Sequence, residues 1–406
     1  MVETFVLVGG GLASARAAET LRSEGFGGRI VLVGREGVRP YERPPLSKDY
    51  LRGEVEGESV FVHPSGWYDE RDVRLRLGLP AVGLDPANHH LTLADGTLLT
   101  YDRLLLATGS TPRALPVAGG DLAGVVSLRT VGDSSRLAAQ LGVVQDAGGR
   151  VVVLGSGWIG LEVASAARAG GIDVTVVGRS SVPLAGPLGA HLGGFFADLH
   201  REQGVRLVGD ASAVALTGTD GRVTGVDLTT GEHLPADLVL VAIGALPEVR
   251  LASVGGLALD PTTGGVLTGP TLATSDPDVF AAGDVAAVPS ERYGTTLRVE
   301  HWARANDQGP HAARAMLGSR DPYTTLPYFF TDQYDLGMEY TGYVAHPDKA
   351  EIVVSGSLEE SEAVVFWIED DRVAAGMALN VWDRQDDVAA LIGQDEVDRA
   401  ALEAFV

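Results

Sequence analysis

A chain of 406 residues, 45% of them hydrophobic, is long enough for two or three domains, each with its own core. Its formal net charge of −23 argues against a sequence-independent grip on nucleic acid or on an anionic membrane surface, and its only lysines are Lys48 and Lys349. The absence of cysteine excludes a disulfide, a catalytic thiol and a cysteine-ligated iron–sulfur cluster within the chain.

Thr4 to Val8 read as a buried strand that meets Gly9, Gly10 and Gly11, and Leu12 to Arg22 has the apolar spacing and alanine content of a helix. A junction of this kind suits phosphate. Unpaired N–H groups and the positive end of the helix dipole face the loop, and glycine lets a pyrophosphate approach the backbone. The pattern is Gly9-x-Gly11-x-x-Ser14, with serine where a third glycine would permit close helix–strand packing. Taken alone it could also be an ordinary tight turn. A second strand is expected over Arg29 to Gly34, and Glu36 beyond it is the candidate for an adenosine ribose. Arg39 to Lys48 contains Pro44 and Pro45 and reads as a stiff connection presenting Tyr41, Arg43 and Lys48.

A second copy of the motif alters the weight of the first. Val151 to Leu154 run into Gly155-Ser156-Gly157-Trp158-Ile159-Gly160, ahead of a helical stretch over Leu161 to Ala169, so two dinucleotides are expected. Its second strand, Asp173 to Val177, ends in Gly178-Arg179-Ser180, where the first copy has Gly34-Arg35-Glu36. A carboxylate suits a free ribose 2′-hydroxyl, whereas arginine beside a hydroxyl suits a 2′-phosphate, which favours NADPH over NADH at the second loop.

From 182 to 231 the pattern is weak: a helix around Gly193 to Gln203, then short strands among Gly and Asp turns. Asp237 to Gly244 reads as another buried strand. The longest apolar stretch, Leu238 to Leu246, is too short to cross a bilayer, and no signal peptide is expected before a strand that begins almost at Met1. The expected location is cytoplasmic. Nine scattered histidines lack metal-ligand spacing, so no metal is expected. A helix is expected from Arg298 to Arg314. Beyond Tyr323, alternating strands over 328–334, 351–356, 363–368 and 372–380, a turn at Asp370-Asp371 and short helices at 388–392 and 399–405 suggest a small α+β cap.

The run from Arg39 to Lys48 resembles the signature of the FAD-dependent reductases that serve two-iron ferredoxins and rubredoxins, a group that includes the putidaredoxin-reductase-like enzymes and is related to the apoptosis-inducing factor. Thr100 to Ser110, Ser127 to Thr130 and Thr274 to Asp284 follow in that family's order, and the resemblance covers almost the whole chain. It implies an α/β fold with two Rossmann-like dinucleotide-binding domains, as in glutathione-reductase-like two-nucleotide flavoproteins, plus a small α+β C-terminal domain. The implied boundaries are 1–112 and 246–322 for FAD, 113–245 for NAD(P)H and 323–406 for the cap.

The FAD residues so implied are Gly9, Gly11, Ser14, Glu36, Arg43, Pro45, Lys48, Thr108, Gly109, Arg129, Asp284, Glu300, His301 and Trp302. Those for NAD(P)H are Gly155, Gly157, Ile159, Gly160, Glu162, Arg179, Ser180 and Gly244. In the family an aspartate at the place of Asp284 holds the ribityl and pyrophosphate region. By the same resemblance Lys48 belongs near the flavin N5 and pairs with Glu162, which belongs near the nicotinamide amide. Trp302 is implied between flavin and docking surface. These three are the expected catalytic residues. Family members often carry tryptophan where this chain has Phe330.

A flavin accepts a hydride and releases its electrons singly, so one flavin site and one nicotinamide site make a two-to-one electron converter or a two-electron reductase. With no cysteine to receive electrons, they must leave the flavin directly. The resemblance implies a 2Fe–2S ferredoxin as acceptor and, through it, a cytochrome P450 or an oxygenase. Arg298, Arg304 and Arg314 are the expected docking patch, on a monomer or dimer that binds neither nucleic acid nor membrane. A diaphorase reducing quinones or oxygen, and a binding protein that senses flavin and nucleotide, remain alternatives.

Overall fold

The computed structural model describes residues 2–394 and 397–406; Met1, the expected start of the first domain, and residues 395 and 396 of the expected cap lie outside the described residues. The chain forms two compact units. Met1–Glu42, Gly57–Thr111 and Leu246–Pro327 make the first, and Arg43–Glu56, Pro112–Ala245 and Tyr328–Val406 make the second.

In the first unit the strand Thr4–Val8 is the centre of a parallel sheet, paired with Arg29–Val33 on one side and Arg103–Leu106 on the other. Val73–Arg76 and Val279–Ala281 form its edges. Val6 and Leu7 are fully buried, as an apolar run covered on both faces must be. Where the strand ends, Gly9 donates its N–H to the Val33 carbonyl at 2.8 Å. Its φ is +133°, and a Cβ there would lie 2.0 Å from the Ala107 oxygen, so only glycine fits. The helix Leu12–Ser23 follows, and its alanines meet the helix Trp302–Met316 so closely that a Cβ on Gly309 would lie 2.4 Å from the Ala13 oxygen.

The second unit repeats this plan. Arg150–Leu154 lies between Asp173–Val177 and Leu238–Val241, with Arg206–Val208 and Val125–Val126 outside them. Ala213–Thr219, Arg222–Leu228 and His233–Pro235 form the antiparallel meander of the weakly patterned region. The cap is a five-stranded antiparallel sheet in the spatial order Tyr328–Gln333, Leu336–Gly342, Arg372–Leu379, Glu362–Glu369, Glu351–Ser357. Its core holds Phe366 and Trp367, both fully buried.

Several boundaries differ from expectation. The helix Trp158–Ala169 begins inside the glycine motif rather than after it, because Gly157 serves as its N-cap. Ala185–Glu202 starts earlier than Gly193 and is interrupted at Gly189, whose φ is +82°. The helix expected from Arg298 begins at Trp302, so Arg298 and Glu300 precede it and His301 is its extended N-cap. The strand Leu336–Gly342 was not anticipated: the turn before it contains Tyr334 at φ +56°, without the Asn-Gly or Asp-Gly signal of a tight hairpin.

The two glycine loops differ at their third position, and this difference is testable. A Cβ on Gly160 would lie 2.1 Å from the Gly155 oxygen, whereas Ser14 carries its Cβ in the first loop and buries a hydroxyl without a hydrogen-bond partner among the described residues. Gly160→Ser is expected to destabilise by about 1–3 kcal/mol through overpacking. Ser14→Ala, which removes a buried unpaired hydroxyl, should be neutral or stabilising by up to about 1 kcal/mol. Chemical denaturation of the two variants checks both signs.

Candidate functional site

Both glycine loops can receive a dinucleotide phosphate. Gly11 and Gly157 are the N-caps of twelve-residue helices that have neither a side-chain cap nor an acidic residue in the first turn. Their amide groups are therefore open to an anion. Among the described residues, no atom outside the glycine's own stretch of chain lies within 4 Å of where a Cβ on either glycine would stand, so the space beside the backbone is clear.

In the first unit, Glu36 accepts a hydrogen bond from the Tyr41 hydroxyl at 2.5 Å. Thr108 donates its hydroxyl to the Glu248 carbonyl at 2.7 Å, and Gly109, at φ +73°, accepts from the Glu248 amide at 2.9 Å. The Asp284 carboxylate accepts from the Ser110 hydroxyl at 2.7 Å, a support that sequence reading missed. Asp284 lies in a short turn, Gly283–Val285, whose first amide donates to the buried Gln308 side chain at 2.8 Å. Glu300 pairs with Arg298, and Nδ1 of His301 and Nε1 of Trp302 are both buried.

The expected docking arginines do not form a free basic patch. Arg298 donates to the carbonyls of Thr263 and Asp284 as well as to Glu300. Arg304 is buried, lies over the Tyr323 ring at 4.7 Å and donates to the Tyr323 hydroxyl and the Thr325 carbonyl. Only Arg314 is exposed, and it pairs with Glu24 at 3.0 Å. Charge alone does not distinguish a structural arginine from a docking one.

In the second unit, Pro44 and Pro45 open a 3-10 turn, Pro44–Ser47, where their missing N–H groups cost nothing. The turn delivers Lys48, whose Nζ lies 2.8 Å from Glu162 Oε1; each of the two residues is 6% exposed. Buried charges of this kind persist only when paired and further hydrogen-bonded. The Ser47 hydroxyl donates to Glu162 Oε2, and the Thr331 hydroxyl donates to Oε1 at 2.6 Å. The Phe330 ring centre is 5.6 Å from Lys48 Nζ. Arg43 donates to the Arg129 carbonyl, and the Ser134 hydroxyl donates to the Leu46 carbonyl at 2.7 Å, fixing the segment that holds Pro45. Thr331 carried no sequence signal beyond being a polar residue on a strand face that the sheet buries.

The residues expected at the second dinucleotide are more open. Ile159 is 43% exposed beside Gly157, while Trp158 packs edge-on against Phe196 and Phe329. Gly244 has φ +97° and faces the Arg113 side chain. Arg179 and Ser180 are exposed, and the Arg179 guanidinium makes no ion pair or hydrogen bond among the described residues. Gly178 is buried, and a Cβ there would lie 2.3 Å from Ser156 Oγ.

Residues 3–309 match the pyridine nucleotide-disulphide oxidoreductase model and residues 328–403 a reductase C-terminal model. The rhodocoxin reductase of Rhodococcus erythropolis is 36% identical over 377 residues, 93% of this chain and 86% of that protein. The ferredoxin–NAD(+) reductase component of the biphenyl dioxygenase system of Paraburkholderia xenovorans is 38% identical over 382 residues, 94% of this chain and 90% of its own length. Among solved structures, the covalent putidaredoxin reductase–putidaredoxin complex superposes with a TM-score of 0.89 at 33% identity, over 98% of each chain.

Burial pushes the His301 imidazole down to about 4, against the opposing pull of the Asp284 charge. The unfolded chain takes up this proton near pH 6.5 and the folded chain only near 4, so the stability contributed by the neutral ring is complete above 6.5 and lost as pH falls towards 4. The loss amounts to about 3 kcal/mol over the window. Urea melts between pH 7 and 4 should show a shallower acid decline in His301→Gln than in the native protein; parallel declines would assign the sensitivity to another group.

Proposed function

We propose, for a chain that belongs to the pyridine nucleotide-disulphide oxidoreductase family and carries a reductase C-terminal domain, the function of an FAD-containing NAD(P)H:ferredoxin reductase. The observation that carries this reading is the pairing of two open glycine loops with a complete lack of cysteine. One loop suits each dinucleotide, and no dithiol can take the electrons. Bound FAD supplies the conversion of a hydride into two single electrons. Its acceptor is a 2Fe–2S ferredoxin, which in turn serves a cytochrome P450 or an oxygenase; a relative at 38% identity is named as the ferredoxin–NAD(+) reductase component of a dioxygenase system. Because NAD(P)H is a cytoplasmic reductant, the reading places the enzyme in the cytoplasm.

The chain's residues divide the work. In the first unit the Gly9–Gly11 loop would hold the FAD pyrophosphate, Glu36 the adenosine ribose and Asp284 the sugar chain. In the second unit the Gly155–Gly157 loop would hold the pyrophosphate of NAD(P)H. The Lys48–Glu162 pair would act through a fixed cation and a fixed carboxylate, by positioning rather than by exchanging protons. Stopped-flow mixing with NADPH and then with a ferredoxin tests the whole reading: fast flavin reduction and fast ferredoxin reduction are expected, and a quinone that outruns every ferredoxin would overturn it.

NADPH is the favoured nucleotide. An acid directly after the last valine of the strand, suited to NADH, would need room that Ser156 Oγ occupies beside Gly178, while Arg179 next to Ser180 offers an exposed, uncommitted guanidinium.

Two variants follow from these assignments. Arg179→Ala should lower kcat/KM for NADPH by roughly ten- to a hundredfold, the equivalent of a charged hydrogen bond of about 1.5–3 kcal/mol, with little effect on NADH. Unchanged NADPH kinetics would return Arg179 to the solvent. Glu162→Ala should slow flavin reduction while the protein still purifies yellow; a native reduction rate would make the ion pair purely structural.

A further inference from the structure

Thr331 has one proton to give, and the Glu162 carboxylate can only accept, so the 2.6 Å contact fixes Thr331 as donor to Glu162. Its remaining contact, with Gln333 at 3.3 Å, must then use the Thr331 oxygen as acceptor, which turns the Gln333 nitrogen towards Thr331 and its carbonyl away. That carbonyl meets His200 Nε2 at 2.8 Å, so the imidazole proton sits on Nε2. Nδ1 is left as an acceptor, and the Tyr334 hydroxyl lies 3.1 Å from it. One buried carboxylate thus orders four side chains in series, each donating towards Glu162.

Independent features hold the far end of this series in place. His200 is fully buried on the helix Ala185–Glu202, and burial lowers its pKa, with the Gln333 bond opposing. The groups facing it are Gln333 and Tyr334, whose phenol is pushed up by burial with Arg168 opposing. Tyr334 keeps φ +56°, which a tyrosine adopts only when its surroundings impose it; its amide donates to Ser165 on the helix that carries Glu162. A second tie holds the same helix as His200: Asp348 accepts from the Ala190 amide at 2.7 Å, just past the break at Gly189.

We propose that His200 is a positioning residue for the Glu162–Lys48 pair: as the neutral Nε2–H tautomer it orients Gln333, which leaves the Thr331 hydroxyl free to face Glu162. The inference rests on the role assigned above to that ion pair. Without the His200 donor, the buried Gln333 carbonyl is unpaired, and turning the amide over to relieve this brings the carbonyl to Thr331, which must then choose between Gln333 and Glu162. The carboxylate would lose a donor through a change made two side chains away.

Histidine labelled with ¹⁵N reports the tautomer in the native holoenzyme, with the His200 signals assigned by their absence in His200→Gln. The expected result is a single Nε2–H form from pH 6 to 9, and loss of that uniformity in Thr331→Val. An Nδ1–H or charged His200 in the native protein, or an unchanged tautomer in Thr331→Val, would overturn the proposal. In stopped flow, His200→Phe should slow flavin reduction about tenfold at saturating nicotinamide nucleotide with its apparent Kd unchanged, as expected for a donor lost at a charged group. His200→Gln, whose amide can still donate to Gln333, should keep the native rate. Equal loss in both variants would overturn the positioning role. An effect absent from Glu162→Ala as well would sink the catalytic role of the pair, and the tautomer would still decide the hydrogen-bond series.

Discussion

A carboxylate withdrawn from water must be met by donors, and Glu162 is held by three, from Lys48, Ser47 and Thr331. Much of the second unit is organised to supply them. The double proline fixes the turn that presents Ser47 and Lys48 together. The cap strand Tyr328–Gln333 turns Thr331 and Gln333 to its buried face, both 1% exposed. Removing one partner of such a pair leaves an uncompensated buried charge, a penalty of about 3–5 kcal/mol, so the pair constrains its surroundings far more than an exposed ion pair would. Residues 43–56, distant in sequence, belong to the same compact unit as the second glycine loop.

The two nucleotide folds show which features of a glycine loop are obligatory. Gly9 and Gly155 both adopt positive φ, both donate to the carbonyl that ends the neighbouring strand at 2.8 Å, and at both a Cβ would lie about 2 Å from the carbonyl oxygen just past the strand on the other side. These constraints act on the backbone and leave the chemistry free to vary. It does vary, at the third loop position and just beyond the second strand. Glu36, hydrogen-bonded to Tyr41, stands in one fold where Ser180, beside an arginine with no ion pair among the described residues, stands in the other. The same scaffold therefore carries different charge at equivalent positions.

Legibility from sequence followed the range of the interaction. The strand–glycine–helix junctions could be read because the demand for positive φ is written in residue type and the strand and helix lie next to it. The hairpin at Tyr334 could not, since its backbone is stabilised by contacts with Ser165 and His200 rather than by local turn chemistry. Thr331, Gln333 and His200 were equally silent, because a buried polar series is specified by which side chains meet in space. Arg304 misled for a related reason. In sequence it is a positive charge on a helix, and only its packing over Tyr323 reveals that the guanidinium is used to hold the chain together.

The family to which the chain belongs is named for disulphide chemistry, yet a sequence with no cysteine has no dithiol to place beside a flavin. The buried ion pair of Lys48 and Glu162 in the second unit can likewise neither be oxidised nor be reduced. Lys48 and Glu162 carry fixed charges and no group that stores electrons. A chain without cysteine leaves electrons delivered by hydride only one kind of exit, by transfer from the flavin to an acceptor outside the chain. The acceptor must take them one at a time if it is an iron–sulfur protein.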